Sequence, residues 1–246
     1  MVEPMILLEA VEDIAKLAFI VAGLYLAARL SVQRREPTWT EPLDRRRVVV
    51  LCLLALVATA IKVTEDVLGG ESGPIDEAIL LFLRKHVPLG QTALFEAVTL
   101  TASAIALTVL TLAGTLILAV AGRRLEAKLL AASVICAAGV VYALKVLIGR
   151  ARPALWESQW YWGSSFPSGH TLVVAAFAMA AALAVGRLLP TARTAALAAA
   201  LAWTALVAAS RLVLGAHWPT DVLAAACVGA AIPLGIGLAL EWRQRG

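Results

Sequence analysis

His217 and Asp221 stand four positions apart, with Pro219 between them at a place suited to the first turn of a helix. A carboxylate so placed can hold one ring nitrogen of the histidine, fix its tautomer, and leave the other nitrogen as a nucleophile or base. Arg211, just upstream in Ser210-Arg211, adds a planar fork of donors suited to phosphate oxygens. A second histidine, His170, follows Pro167-Ser168-Gly169 at the mouth of a long apolar run. Pro167 ends whatever precedes it, Ser168 is a good N-cap, and Gly169 removes bulk where backbone N–H groups are still unpaired. A helix starting this way offers free donors and the positive end of its dipole, which is an anion site. His170, in its first turn, is close enough to exchange a proton with the bound anion.

A third polar segment runs Lys145-Val-Leu-Ile-Gly149-Arg150-Ala-Arg152-Pro153. Lys145 falls in the last turn or so of an apolar run, where a cation is costly unless it snorkels or finds a partner. Pro153 is expected to stop that helix and aim the following loop. Arg150 reads as a snorkelling cation at a helix C-terminus, while Lys145 and Arg152 come within reach of one site. Phosphoryl transfer needs charge stabilisation at the equatorial oxygens and an in-line nucleophile opposite the leaving group. Lys145, Arg152, Arg211 and a helix N-terminus supply the first need, and His170 and His217 the second. Without clustered carboxylates, no Mg²⁺ or Zn²⁺ cage is evident and no cofactor is implied.

The elements that must position these residues are membrane spans. The chain has 246 residues, 61% hydrophobic and only 15% charged, with a mean hydropathy of +0.86. Soluble domains carry about a quarter charged residues, and the apolar runs here approach the roughly 20 residues that cross a bilayer. The reading is an all-α, polytopic membrane helical bundle. Spans are expected at about 17–32, 48–67, 93–121, 127–148, 170–189, 194–214 and 221–240. Arg34, Arg35 and Arg45 to Arg47 place the first connecting loop in the cytoplasm, so the N-terminus faces out and the C-terminus in. Every basic loop then obeys the positive-inside rule except the one at 149–152, whose cations need another reason to be there. The net charge of +4 is explained by topology and calls for no nucleic acid.

Between the second and third spans, Ile75, Ile79, Phe82 and Leu83 recur at helical spacing, which predicts a short amphipathic helix at the membrane interface. Gly139, Gly229, Gly235 and Gly237 and many alanines in the later spans allow close helix approach, and Pro233 should kink the last span. Cys52, Cys136 and Cys227 lie in apolar runs without paired spacing and read as small core residues.

In order along the chain, Lys-x6-Arg-Pro, Pro-Ser-Gly-His and Ser-Arg-x5-His-x3-Asp resemble the three-part signature of the type-2 phosphatidic acid phosphatase family. The resemblance covers Lys145 to Asp221. It implies a six-span phosphatase core over residues 48–246, to which residues 1–47 add one N-terminal span and a cytoplasmic loop. It also implies metal-independent hydrolysis of a phosphate ester or anhydride. His217 would be the nucleophile that forms a phosphohistidine, Asp221 would orient it, and His170 would protonate the leaving oxygen and then help activate water. Lys145, Arg152, Ser168, the Gly169 N–H and Arg211 would hold the phosphoryl oxygens. The soluble haloperoxidases of the same superfamily fit less well, because this chain is not soluble.

With the site at the outer face of the plasma membrane, a lipid phosphate is the expected substrate and the bilayer its medium. Undecaprenyl diphosphate is the first choice, followed by phosphatidic acid, phosphatidylglycerol phosphate or lipid A. A lipid phosphotransferase would use the same residues, and a non-enzymatic transporter or scaffold is the remaining alternative. Trp156, Trp160, Tyr161, Trp162 and Trp218 read as interfacial anchors, with a groove for a lipid chain as the competing reading. Oligomeric state is not legible.

Overall fold

The computed structural model describes residues 4–88, 90, 92–156 and 163–243. Trp160, Tyr161 and Trp162 lie outside the described residues. Every regular element among those described is helical: α1 (Pro4–Arg35), α2 (Thr40–Arg45), α3 (Arg47–Gly69), α4 (Gly73–His86), α5 (Thr92–Thr101), α6 (Ala104–Val120), α7 (Arg124–Ile148), α8 (Gly169–Leu188), α9 (Arg193–Val213) and α10 (Pro219–Arg243). Seven stretches are long and apolar enough to cross a membrane, with α5 and α6 counting together as the third. The all-α membrane bundle read from composition is the architecture found.

Two compact units divide the chain, Met1–Lys62 and Val63–Gly246. In the first, α1 is tied to α2 by a polar knot. Arg29 Nε and Nη2 donate to the two oxygens of Asp44 at 2.8 and 2.9 Å, and the Tyr25 hydroxyl donates at 3.2 Å. The bond from Arg29 holds the Asp44 carboxyl below its ordinary range.

In the second unit α8 is the central helix. Leu172, Val174, Ala176 and Ala180 are fully buried, and α7, α9 and α10 pack around them. Alanine dominates because, with lipid outside, helices gain by close van der Waals fit, and small side chains permit it. The tightest approach is at Gly229 of α10, where a Cβ would lie 2.4 Å from the Leu172 carbonyl oxygen and 2.7 Å from the Ala175 Cβ. Pro233 is buried inside α10, which continues through it.

At three places the structure adds to or alters the sequence reading. The third span is broken: α5 ends at Thr101 and α6 starts at Ala104. No proline or glycine causes this; hydroxyls compete with the backbone. Thr101 Oγ1 donates to the Val98 carbonyl at 2.7 Å, and Ser103 Oγ caps α6 by accepting from the Ala106 N–H at 3.2 Å. The fourth span ends at Ile148, where its expected bounds put it, but the stop is Gly149, left-handed at φ 63°, and not Pro153. Finally, α4 forms where the apolar spacing indicated, with Ile75, Ile79 and Phe82 exposed along one face and Asp76 and Leu80 buried on the other.

Gly229→Ala should destabilise the bundle by about 1–3 kcal/mol, because the obstructing atom is a helical carbonyl that cannot rotate away. Gly139→Ala, where an added Cβ meets nothing within 4 Å, should be close to neutral. Thermal unfolding of both variants in one detergent checks the pair.

Candidate active site

The three polar segments meet at one end of the second unit, where α7, α8, α9 and α10 present a C-terminus, an N-terminus, a C-terminus and an N-terminus. Gly215 takes a left-handed turn at φ 64° and carries the chain from α9 to His217. A Cβ there would sit 2.7 Å from the Trp156 indole nitrogen, so glycine is required by space as well as by conformation. The Arg84 guanidinium carbon lies over the Trp156 ring, 5.4 Å from its centroid.

His217 and Asp221 are both buried, with His217 Nδ1 3.5 Å from Asp221 Oδ2. Its other nitrogen, Nε2, faces Arg152 Nη1 at 3.5 Å. One ring nitrogen is therefore turned to the carboxylate and the other to a cation. Burial pushes the His217 pKa down from its ordinary 6.5 to about 4; Asp221 opposes this, and Arg211 and Arg152 reinforce it. At neutral pH the ring is uncharged and has a lone pair.

Asp221 is held from several directions. Oδ1 accepts from Arg150 Nη1 at 2.6 Å; Oδ2 accepts from the Trp218 N–H at 2.9 Å and from the Ser165 hydroxyl. Its backbone carbonyl accepts from the Ser168 N–H at 3.2 Å, joining the start of α8 to the first turn of α10. Ser168 occupies the N-cap position, yet its hydroxyl pairs with Thr171 Oγ1 at 3.0 Å instead of capping. Gly169 and His170 open α8 and are half-buried, and the charged or ionisable groups acting on His170 are Arg211, His217, Arg152 and Lys145.

Two of the cations are fixed by backbone carbonyls. Lys145 Nζ donates to the Ser164 carbonyl; Arg152 donates to the Ala216 carbonyl at 2.7 Å and the Gly163 carbonyl at 3.1 Å. Arg211 is buried and donates to Thr99 Oγ1 at 2.9 Å, close to the break in the third span. Lys145, Arg152, Ser168, Gly169, His170, Arg211, His217 and Asp221 are thus gathered at one end of the bundle. Among the described residues, no three His, Cys, Asp or Glu side chains stand together as metal ligands.

Sequence reasoning missed Arg150 and Asp76. Arg150 does not snorkel: its side chain is largely buried, donating to Asp221 and, at 2.6 Å, to Asp76 Oδ2. The signal was its place in the one basic loop, 149–152, that the expected topology sets against the positive-inside rule. Ser165, Thr220 and Ser72, which also join this network, left no signal beyond their polarity.

A helical membrane bundle with imidazoles and cations converging at one end defines a class, and comparison with known proteins gives it a family. Residues 126–245 match the model of the PAP2 superfamily. Those residues, which hold all three polar segments, belong to that family, the type-2 phosphatidic acid phosphatases. Phosphatidylglycerophosphatase B of Escherichia coli K12 is 46% identical over 70 residues, 28% of this chain and 26% of that protein, and the Shigella flexneri protein matches equally. The chain thus spans about a quarter of the length of the curated relatives it matches. In fold it is similar to the PAP2-type phosphatidylglycerolphosphate phosphatase of Bacillus subtilis, with a TM-score of 0.66 at 21% identity over 80% of this chain and 96% of that one. LpxE of Aquifex aeolicus follows at a TM-score of 0.53 and 18% identity, over 65% of this chain and 92% of that one.

The pKa of His217 predicts an acid-sensitive fold. The unfolded chain takes up the imidazole proton near pH 6.5 and the folded chain only near pH 4, so stability is lost as pH falls through that window. The unfolding midpoint should drop across it, and His217→Gln should lack that part of the drop.

Proposed function

We propose that this protein is a lipid phosphatase that works through a phosphohistidine. The observation that carries the reading is the orientation of His217, with Nδ1 towards Asp221 and Nε2 towards Arg152. If Nδ1–H donates to the carboxylate, the Nε2 lone pair is aimed at the cations that would hold a phosphoryl group. Nε2 attacks phosphorus and the bond to the lipid oxygen breaks. His170 gives that oxygen its proton, and the lipid alcohol leaves. His170 then accepts a proton from water, whose oxygen attacks the phosphoryl group and releases inorganic phosphate and free His217. Lys145, Arg152, Arg211, Ser168 and the Gly169 N–H act on the phosphoryl oxygens, where charge develops. These groups offer the stabilisation a divalent ion would otherwise give, so the proposed reaction is metal-independent.

For the substrate, the names of the relatives favour a phosphatidylglycerol phosphate headgroup over undecaprenyl diphosphate, the first choice from sequence. We place the site at the outer face of the plasma membrane, with the N-terminus outside and the C-terminus cytoplasmic, on the distribution of arginines among the loops. We also propose that residues 48–246 form the phosphatase core and that residues 1–47 are an addition to it.

The test is phosphate release from purified phosphatidylglycerol phosphate, phosphatidic acid, undecaprenyl diphosphate and lipid A, with and without chelator. Release should persist in chelator, stop with vanadate, and vanish in His217→Ala. Asp221→Asn should fold and slow turnover by about 10²–10⁴-fold through loss of the tautomer lock. Turnover in His217→Ala, or a requirement for metal, overturns the mechanism. A cysteine in loop 154–156 should react with an impermeant reagent from outside intact cells; labelling only from the cytoplasmic side overturns the orientation.

A further inference from the structure

Arg150 and Asp76 belong to none of the three motifs, yet they form the most heavily bonded ionic cluster among the described residues. Arg150 Nη1 reaches Thr220 Oγ1 at 2.8 Å and Asp221 Oδ1 at 2.6 Å; Nη2 reaches Ser72 Oγ at 3.1 Å and Asp76 Oδ2 at 2.6 Å. Asp76, fully buried on α4, also accepts from the Thr220 N–H at 2.9 Å and the Thr220 hydroxyl at 2.6 Å. The Trp218 ring lies 5.5 Å from the guanidinium carbon, and its indole N–H donates to the Ala151 carbonyl at 2.9 Å, closing the cluster on the side of His217. A largely buried guanidinium whose Nη1 and Nη2 each reach two partners has one orientation, and Asp76 of α4 helps to impose it.

We propose that Asp76 and Arg150 are positioning residues, which together hold the Asp221 carboxylate in the rotamer that addresses His217 Nδ1. This rests on the reading of His217 as nucleophile. Asp76 touches neither histidine; it acts through the guanidinium and through the N–H of Thr220, the residue before Asp221. The charges make the proposal testable by sign. Asp76, Arg150 and Asp221 sum to one negative charge (−1 +1 −1). Asp76→Asn brings the sum to zero and should lower the His217 pKa further; Arg150→Gln brings it to −2 and should raise it. The other groups facing His217 are Arg152 beside it, Lys145 on α7, Arg211 on α9 and His170 on α8, and all are unchanged in both variants.

The experiment uses the full chain in detergent, with phosphatidylglycerol phosphate as the kinetic probe and ¹⁵N-histidine NMR as a probe that needs no substrate. Asp76→Asn should lower kcat about tenfold with KM within about twofold, because the phosphate ligands are intact. The His217 titration should move by about half a pH unit or more, down in Asp76→Asn and up in Arg150→Gln. In the double variant the sum returns to −1, so the titration should return towards wild type while kcat stays low. A loss carried by KM, unchanged kcat, or shifts of the same sign in both single variants overturns the proposal. If Asp76→Asn does not fold, Arg150→Gln and the double variant decide by the same signs. If wild type releases phosphate from no lipid, the proposed activity fails, and the titrations alone decide the positioning.

Discussion

A single, largely buried guanidinium fixes the geometry on which the site depends. Arg150 lies between Asp76 and Asp221, two fully buried carboxylates from helices more than a hundred residues apart in sequence. Either carboxylate alone would be costly to bury, and so would the cation. Together, with Ser72, Ser165, Thr220 and the Trp218 N–H completing their hydrogen bonds, they satisfy one another. The cluster leaves Asp221 one direction in which to meet His217. It also joins α4, whose outer face is apolar and exposed, to the first turn of α10.

The polarity of the imidazole follows from the same packing. Burial is the largest influence on His217 and keeps it neutral, although a carboxylate stands beside it and would favour its charge. A better-solvated histidine next to Asp221 would be protonated more readily and would lose the lone pair that a nucleophile needs. Low dielectric and an anchored carboxylate therefore act in opposition, and it is the burial that prevails.

Much of this was legible because the chemistry lies at helix ends, and helix ends are written in local residues. Pro167-Ser168-Gly169 and Gly215 through Pro219 mark where α8 and α10 begin, and the residues beside them are those gathered in the site. The role of Arg150 was not legible, because its meaning depends on Asp76, 74 positions away on a helix whose apolar spacing drew attention to its outward face. The break in the third span was equally hidden. It is made by the Thr101 and Ser103 hydroxyls, and a hydropathy pattern passes over both. Gly149 had the composition of a helix stop, but Pro153 was the louder signal, and only the left-handed turn at Gly149 shows which one acts.

The contact at Gly229 bears on the spacing of the two histidines. Leu172, whose carbonyl faces it, is two residues from His170 on the first turn of α8; α10, which carries Gly229, begins two residues after His217. At that level Gly229 of α10 meets the Leu172 carbonyl and the Ala175 methyl of α8 with no side chain of its own between them. A gap filled by leucine or phenylalanine can widen or narrow as its occupants change rotamer, whereas backbone against backbone has no such freedom. The gauge between α8 and α10 at this crossing is set by main chain and one methyl group, neither of which has a rotamer to change.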